Sequence, residues 1–212
     1  MKCIAAKCLS SVFLIGAFSV SAPGGETTPG LSSQYTRLSL DDTFRSGQWE
    51  ASFAAGPLFS PMVLPKNRPV VNYALGSLQL GYMLTSPEGG GLFRGNLEFV
   101  PEGFGAGVFG GDGSYVAGGT FWMRYNFVTP GSRLVPYAQA GVGFTFMDID
   151  HRYDGQNFNF NVDAAAGLRW FFSERWAMNL EYRFQHISNA NMGQHNIGIN
   201  ADGPMLGVSW FF

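Results

Sequence analysis

Two side chains near the C-terminus, His186 and Ser188, have the types and the spacing of a general base and a nucleophile. They end the segment Arg175–Ser188, in which every second residue before them is large and apolar: Trp176, Met178, Leu180, Tyr182 and Phe184. Because side chains alternate between the two faces of a strand, His186 and Ser188 are predicted to lie on that apolar face. Polar groups on a membrane-embedded surface are costly unless they have partners, so such a pair indicates a functional site.

A serine nucleophile needs a base within hydrogen-bond reach and a third group that orients the base. If the last strand keeps its alternation back from the C-terminus, Asn200 and Asp202 face the same side as its apolar residues. An antiparallel hairpin around Asn189–Ala201 would then bring both of them beside the histidine and the serine. Asn200 and Asp202 are therefore alternative orienting groups for the imidazole.

The loop of this hairpin is rich in asparagine, and its side-chain amides and turn N–H groups could stabilise an oxyanion. The asparagines of the loop are Asn189, Asn191 and Asn196. We interpret His195, in the same loop, as a solvated residue. A His-x-Ser pair alone is a weak motif, because the polar rims of barrels often contain His, Ser and Asn without any catalytic role.

The composition favours a membrane β-barrel. Of the 212 residues, 46% are hydrophobic and only 13% are charged, whereas about a quarter of a soluble domain is charged. No stretch approaches the ~20 apolar residues of a membrane-spanning helix, yet the chain has 29 glycines and 20 phenylalanines. The formal net charge of −2 gives no sign of the basic face that nucleic-acid binding requires.

The N-terminus has the pattern of a secretion signal. Lys2 and Lys7 precede the apolar run Leu9–Val20, and small residues around Ser21 provide a cleavage site. A single anchoring helix is the alternative, but the apolar run is too short for it. Both cysteines lie in this segment, so the mature protein is expected to lack thiols and disulfides. We predict three segments: a signal peptide at residues 1–21, a flexible lead-in at 22–47 and a barrel at 48–212.

From residue 48 onward, hydrophobicity alternates with period two in eight segments that we predict as strands: Gln48–Gly56, Val70–Leu84, Leu92–Phe104, Tyr115–Phe127, Leu134–Met147, Phe158–Phe172, Arg175–Ser188 and Asp202–Phe212. The connections alternate in length, as in outer-membrane barrels with short periplasmic turns and long external loops. The long connections are predicted at Pro57–Pro69, Gly105–Ser114, Asp148–Asn157 and Asn189–Ala201. The predicted fold class is all-β, an eight-stranded antiparallel up-and-down transmembrane β-barrel.

Charged residues are predicted on the inner face of the strands, four acidic and four basic: Glu50, Glu98, Asp163, Glu181, Arg94, Arg124, Arg169 and Arg183. Eight strands enclose an interior just wide enough for side chains, so we predict a polar, side-chain-filled interior rather than a channel. A soluble lipocalin-type barrel would instead have an apolar interior and a polar exterior. The C-terminal aromatic residue on an amphipathic last strand is typical of outer-membrane barrels and predicts the cell outer membrane as the location.

The predicted position of the histidine and the serine indicates a lipid substrate. If both chain termini are periplasmic, the seventh strand rises and ends at the rim of the outer leaflet. A nucleophile on the outer face there would meet the acyl chains and head groups of lipids rather than soluble compounds. Ester hydrolysis of an embedded glycolipid is the reaction that fits this position.

The segment His186-Ile-Ser188-Asn189-Ala190, followed by Asn196-Ile-Gly198-Ile-Asn200, resembles the lipid A 3-O-deacylases of the outer membrane (PagL type). The resemblance covers about Gln48–Phe212 and includes Arg94–Glu98, Arg124–Phe127, Pro136-Tyr137 and Glu181–Arg183. It implies an eight-stranded barrel with a lipid-facing Ser-His-Glu triad that releases the ester-linked 3-hydroxyacyl chain at position 3 of lipid A, without a metal or another cofactor. The implied partners are lipid A or lipopolysaccharide and the outer membrane.

Carried over by position, the roles of that family fall on Ser188 as nucleophile, His186 as general base, and Asn196 with the backbone N–H of Asn191 as oxyanion hole. The acidic residue of the family falls on Asn200. An amide oxygen can accept the Nδ1–H of histidine, as in Cys-His-Asn proteases, but it cannot offset the charge of the imidazolium. The resemblance therefore implies a Ser-His-Asn arrangement, and Asp202 is the rival orienting group.

Two other functions remain open from the sequence. A non-catalytic structural or binding barrel on a deacylase-like scaffold would not need His186, Ser188 and an orienting group within hydrogen-bond reach on one outer face. A calcium-dependent phospholipase barrel would need a cluster of carboxylates at the rim, which the sequence does not indicate. The sequence does not decide which acyl ester is cleaved or whether the barrel forms a homodimer.

Overall fold

The computed structural model describes residues 39–60, 69–149 and 155–212, all within one compact unit, Thr36–Phe212. The predicted signal peptide, the first part of the predicted lead-in and the middle of two predicted loops lie outside the described residues. Within the described ranges, no helix is long and apolar enough to span a membrane.

Eight strands form a closed antiparallel barrel. Their bounds are β1 Trp49–Leu58, β2 Asn72–Met83, β3 Gly95–Gly110, β4 Gly113–Phe127, β5 Leu134–Ile149, β6 Phe158–Phe171, β7 Trp176–Ser188 and β8 Ile199–Phe211. Each strand pairs with the next, and β8 also pairs with β1, from Glu50 opposite Phe211 to Ala55 opposite Leu206. A sheet that spans a membrane must be closed, because an unpaired strand edge would leave backbone groups without partners in lipid. The closed sheet of this barrel meets that requirement. The all-β barrel predicted from the sequence is confirmed.

The outer face of the barrel is apolar. Along β6 the exposed residues are Phe158, Phe160, Val162, Ala164, Ala166, Leu168 and Trp170. The end of the barrel where β1 begins and β8 ends, here called the terminal end, has a row of exposed aromatic side chains: Trp49, Trp170, Trp176, Trp210 and Phe212. An apolar outer band flanked by aromatic residues is the pattern of a transmembrane barrel.

Two arginines and two glutamates fill the middle of the barrel. Arg124 Nη1 lies 3.1 Å from a Glu50 oxygen and 3.4 Å from a Glu98 oxygen. Arg169 Nη2 lies 2.5 Å from the same Glu50 oxygen, and all four side chains are at most 2% exposed. Charges buried this deeply are tolerated only when they are paired, so the predicted polar filling of the interior is present.

A second group of ion pairs lies nearer the opposite end, here called the loop end. Arg183 forms 2.9 Å ion pairs with Glu102 and with Glu181. Glu102 is not among the inward charges predicted from the sequence. Arg94 is among them, but it lies at the terminal end, 3.1 Å from Asp41. Because β3 begins only after Arg94, the alternation of the strand does not apply to it.

Apolar side chains close the interior at both ends. At the loop end, a buried cluster includes Leu58, Tyr73, Met147, Ile187, Ile199 and Met205. At the terminal end, Leu40 and Phe44 from the end of the predicted lead-in pack with Met83, Val135, Phe171 and Phe211. The interior therefore has a polar middle between two apolar layers.

The predicted long loop Gly105–Ser114 is wrong. β3 extends to Gly110 and β4 begins at Gly113, so a tight turn joins the two strands. Gly111 and Gly113 have φ values of +96° and +143°, which glycine adopts without the steric cost that a Cβ would add. The glycine-rich segment therefore continues the hairpin instead of opening into a loop.

β8 begins at Ile199, before its predicted start at Asp202. The extension includes the pairing of Ile199 with Ile187, two inward side chains that are at most 1% exposed. Burial of this apolar pair stabilises the additional residue pairs between β7 and the start of β8. It also places Asn200 inside the strand, opposite His186.

Candidate active site

The register of the β7–β8 hairpin sets the geometry of the site. Ile187 lies opposite Ile199, and His186 lies opposite Asn200. Because the two isoleucines are buried in the apolar layer of the interior, their neighbours must face the lipid side. His186 and Ser188 are half-buried there.

His186 and Asn200 are in direct contact. His186 Nδ1 lies 2.5 Å from Asn200 Oδ1, and Asn200 is 8% exposed. An amide oxygen only accepts hydrogen bonds, so this contact puts the proton of the neutral imidazole on Nδ1. Nε2 then has the lone pair that a general base needs, which is the tautomer that acyl transfer by a serine requires.

Asp202, the alternative orienting group, has a different partner. It lies opposite Phe184 in the register and accepts a 2.6 Å hydrogen bond from the Tyr182 hydroxyl. Its backbone N–H and C=O each form a 2.8 Å bond with Phe59. Asn200 is thus the residue that contacts Nδ1 of the imidazole.

Within the described ranges, no group of three or more His, Cys, Asp or Glu side chains is placed so that it could hold a metal ion.

Ser188 lies two residues beyond His186 on the same face of β7, opposite Phe160 of β6. His186 and Asn200 of the predicted triad share a hydrogen bond, and Ser188 lies on the same outer face of β7 as His186. The arrangement therefore places the candidate nucleophile and the candidate base on one outer face.

The chain turns sharply directly after the serine. The Met192 N–H donates a 3.0 Å hydrogen bond to the Asn189 carbonyl, and the two residues between them, Ala190 and Asn191, have φ values of +52° and +62°. Two consecutive positive φ values are typical of a type I′ turn. Asparagine tolerates this conformation better than alanine does. Backbone strain beside a candidate nucleophile is a feature of many functional sites.

Asn189 connects the parts of this loop. Its side chain is buried; Oδ1 accepts the Asn191 N–H at 2.9 Å, and Nδ2 donates to the His195 carbonyl at 2.6 Å. The Asn189 N–H donates to Asn196 Oδ1 at 3.2 Å. These bonds hold the loop against the end of β7, next to Ser188.

The two predicted oxyanion donors lie in this loop. Asn196 Nδ2 donates to Asn191 Oδ1 at 2.9 Å, which uses one of the two hydrogens of the amide nitrogen. The Asn191 N–H donates to Asn189 Oδ1. Asn196 can therefore donate to an oxyanion while keeping its bond to Asn191, whereas the Asn191 N–H would have to change its partner. The side chain of His195 is exposed, as predicted.

Sequence reasoning missed the pairing of Tyr182 with Asp202. Both residues were predicted on the outer face, but a tyrosine in an apolar row of a barrel strand gives no sign of a carboxylate partner. The pair lies diagonally across the hairpin, and diagonal neighbours can be recognised only once the register is known. The register depends on how the chain runs between β7 and β8.

The comparisons with known proteins agree with a membrane barrel. A family model described as "Lipid A 3-O-deacylase (PagL)" matches residues 67–209, more than half of the chain. The solved structure of the outer membrane enzyme PagL is similar with a TM-score of 0.52 and 18% identity, over 76% of this chain and 98% of that one. No curated protein sequence matches this chain significantly.

Two further solved structures are similar over most of the barrel. Neisserial surface protein A has a TM-score of 0.54 and 14% identity, over 79% of this chain and 98% of that one. The N-terminal β-barrel domain of OprF from Pseudomonas aeruginosa has a TM-score of 0.51 and 18% identity, over 79% and 98%. At these identities the solved structures show the shared fold alone.

Proposed function

Because this chain belongs to the lipid A 3-O-deacylase (PagL) family and is an outer-membrane β-barrel, we propose that it is an active serine esterase. The proposed substrate is lipid A or lipopolysaccharide in the outer leaflet, and the bond is the ester of a 3-hydroxyacyl chain. Ser188 is the nucleophile, His186 is the general base and Asn200 orients the base.

The proposal rests on the contact between His186 Nδ1 and Asn200 Oδ1 on the lipid-facing side of the barrel. The wall of a barrel needs only apolar side chains on that side, and polar groups placed there are costly. A histidine, an amide and a serine at neighbouring outward positions therefore point to a function beyond wall formation. Their types and order are those of acyl transfer by a serine.

Hydrolysis proceeds in two steps in this proposal. First, His186 Nε2 takes the Ser188 proton while Oγ bonds to the ester carbonyl carbon; the bond to the sugar oxygen breaks, and that oxygen leaves with the proton. Second, the same base takes a proton from water and the resulting hydroxyl bonds to the acyl carbon; the bond between that carbon and Ser188 Oγ breaks, and the imidazolium returns its proton to Oγ. One water is consumed, and one 3-hydroxy fatty acid is released. Asn196 donates to the oxyanion in both steps.

An acidic residue in a triad orients the histidine and also stabilises the imidazolium. Asn200 performs only the first of these two tasks. In a serine protease, the change from carboxylate to amide cost ~10⁴-fold in rate, largely through the wrong histidine tautomer. Here the amide oxygen faces Nδ1, so the tautomer is the productive one and a smaller loss follows. What is missing is the negative charge that would stabilise the imidazolium.

The direction of the barrel in the membrane follows from its connections. The end of β7 and the asparagine loop lie at the loop end, opposite both ends of the described chain. With the terminal end in the periplasm, the usual arrangement of such barrels, Ser188 faces the outer leaflet. Lipid substrate then reaches the site laterally, within the membrane.

A non-catalytic binding barrel on the same scaffold is the second candidate. The observation that favours it is the amide at position 200, where the resemblance to deacylases expects an acid. This candidate requires no transfer of protons and no release of a fatty acid.

Mass spectrometry of lipid A incubated with the refolded full chain tests the proposal. We expect the loss of one ester-linked 3-hydroxyacyl chain, and we expect Ser188→Ala to lower the rate by ~10³-fold or more. Ser114→Ala is the matched control, because Ser114 is an exposed serine of β4 at the same end of the barrel. Unchanged lipid A with a folded wild-type barrel would favour the binding barrel, and full activity of Ser188→Ala would exclude Ser188 as the nucleophile.

A further inference from the structure

The turn between β2 and β3 carries two large apolar side chains that no other part of the described chain covers. Leu92 is 86% exposed and Phe93 is 78% exposed, more than any other large apolar side chain of the described residues. Both lie beyond the strands at the terminal end, because β2 ends at Met83 and β3 begins at Gly95. Two adjacent apolar side chains this exposed in a turn indicate a surface that contacts something other than water.

The turn has a defined backbone that holds these two residues in place. At its base, Glu88 and Gly95 form a bridge of two backbone hydrogen bonds, of 2.9 and 3.0 Å. At its tip, Gly91–Phe93 forms a single 3-10 turn, and the Arg94 N–H donates to the Gly91 carbonyl at 3.3 Å. The tip is therefore a fixed projection from the end of the β2–β3 hairpin.

A hydrogen bond ties the tip to the lipid-facing side of the barrel. The Tyr125 hydroxyl donates to the Phe93 carbonyl at 2.7 Å. Tyr125 belongs to the outer face of β4: it lies opposite Leu97, which is 39% exposed, and its ring centroid is 5.0 Å from that of Phe127. Leu92 and Phe93 thus continue the apolar outer face of the barrel beyond the ends of its strands.

The next residue, Arg94, extends towards the mouth of the barrel instead. Its Nη1 donates to the Val128 carbonyl at 2.9 Å and lies 3.1 Å from an Asp41 oxygen. Asp41 follows Leu40, which is buried in the apolar layer at the terminal end. The charged side chain therefore occupies the side of the turn that faces the mouth, and the lipid side is left to Leu92 and Phe93.

The turn also lies on the half of the barrel that has no outward tryptophan. The four exposed tryptophans are on the neighbouring strands β6, β7, β8 and β1: Trp170, Trp176, Trp210 and Trp49. The fifth, Trp122, is buried in the interior. Tryptophan is a common anchor at the membrane–water interface. Strands β2 to β5 have none, and the apolar turn is at the end of two of them.

We propose that Leu92 and Phe93 insert into the lipid leaflet at the terminal end and anchor this half of the barrel at the interface. The occupant is a phospholipid surface, because the two side chains are continuous with the lipid-facing wall. Residues 89–93 have no charge, so burial of apolar surface is the source of binding, without attraction to anionic head groups. This role is separate from the proposed esterase and does not depend on Ser188.

The test measures the depth of labels on the turn in vesicles of dilauroylphosphatidylcholine. In the full chain, Cys3→Ser and Cys8→Ser remove both natural thiols, and Leu92→Cys or Phe93→Cys then takes a nitroxide. Electron paramagnetic resonance compares collisions with oxygen, which concentrates in lipid, and with a nickel chelate present in the water on both sides. We expect collisions with the chelate to be ~5-fold or more rarer than for Thr129→Cys, and collisions with oxygen to be more frequent. Thr129 is the matched control, an exposed residue of the polar β4–β5 turn.

A second measurement needs no label. Phe93→Ser is expected to lower the folding equilibrium constant in the same vesicles by ~5-fold or more, because apolar burial is lost. Thr129→Ser is the control and should change this constant by less than ~2-fold.

Three outcomes would overturn the anchor while leaving the proposed esterase untouched. Collisions with the chelate as frequent at positions 92 and 93 as at Thr129 would place the turn in water. Rare collisions with both reagents would mean that protein, such as a second copy of the chain, covers the turn. An unchanged folding equilibrium constant in Phe93→Ser would mean that the side chain is not buried in lipid.

Discussion

One side chain, Asn200, separates two tasks that an acid residue performs together. A carboxylate beside a catalytic histidine fixes its tautomer and also stabilises the imidazolium that forms in the reaction. Asn200 Oδ1, at 2.5 Å from Nδ1, can do the first and not the second. The site therefore allows orientation and charge to be measured separately at one position.

Substitutions at position 200 make this separation a prediction. Asn200→Ala removes the orienting contact and is expected to lower kcat by ~10²-fold, whereas Asn200→Glu adds charge and is expected to keep kcat or raise it by up to ~10-fold. The measurement is the rate of fatty-acid release from lipid A. Asp202→Asn is the matched control and should change kcat by less than ~3-fold, because the Asp202 carboxylate bonds to Tyr182. A larger loss in Asp202→Asn than in Asn200→Ala would transfer the orienting role to Asp202.

The strand alternation was sufficient to predict that His186, Ser188, Asn200 and Asp202 share a face. It was not sufficient to choose between Asn200 and Asp202, because both have the same parity and both lie in the same hairpin. The choice depends on the register, which Ile187 and Ile199 set by packing in the interior. Packing of that kind depends on all eight strands at once and is not a local property of the sequence.

At the level of elements, the turn after β7 is tight and its backbone is strained. Ala190 and Asn191 both have positive φ, and the left-handed region is unfavourable for a residue with a Cβ. Hydrogen bonds from the buried Asn189 side chain hold the loop in this shape. The loop therefore keeps its donors near Ser188 at the cost of some stability.

Ala190→Gly is expected to relieve this strain. Glycine adopts positive φ freely, so the free energy of unfolding in detergent is expected to rise by ~1 kcal/mol. Asn191→Gly is the matched control and should change it less, since asparagine already tolerates this region. The measurement is equilibrium unfolding by denaturant. A decrease in stability for Ala190→Gly would show that the turn is not strained at this position.

The β3–β4 hairpin shows where the sequence pattern is weakest. Glycines have no side chain, so a glycine-rich stretch has no period-two hydrophobic signal, and Gly105–Ser114 was predicted as a loop. The hairpin forms because Phe104 is buried and Ala106 and Val108 pack partly against the apolar layer at the loop end. The positive φ values of Gly111 and Gly113 then allow the tight turn that joins the two strands of the hairpin.

For the whole molecule, the interior is layered. The polar middle was predictable from the inward charges, but the two apolar layers were not, because each is assembled from residues of many strands. Leu40 and Phe44 complete the layer at the terminal end, although they lie in a stretch whose composition predicted only a lead-in. The outer-membrane location predicted from the amphipathic last strand with its terminal aromatic residue agrees with the family and with the solved barrels of similar fold.

The buried ion pairs predict a large effect of one substitution. Arg183→Ala leaves Glu102 and Glu181 without their buried partner, and loss of such a partner is expected to lower the free energy of unfolding by ~3–5 kcal/mol. Arg45→Ala is the matched control, because its 3.7 Å pair with Asp42 is mostly exposed and should contribute less than ~0.5 kcal/mol. Denaturant unfolding of the refolded barrels measures both. Similar effects of the two substitutions would mean that the interior is hydrated enough to solvate the orphaned carboxylates.

The most direct test of the central claim is covalent trapping of the nucleophile. The refolded full chain is treated with a lipophilic fluorophosphonate, and the modified residue is identified by peptide mass spectrometry. We predict modification at Ser188, strongly slowed in His186→Ala and absent in Ser188→Ala. Modification at another serine, or none in a preparation that releases fatty acid from lipid A, would contradict a lipid-facing Ser188 as the nucleophile.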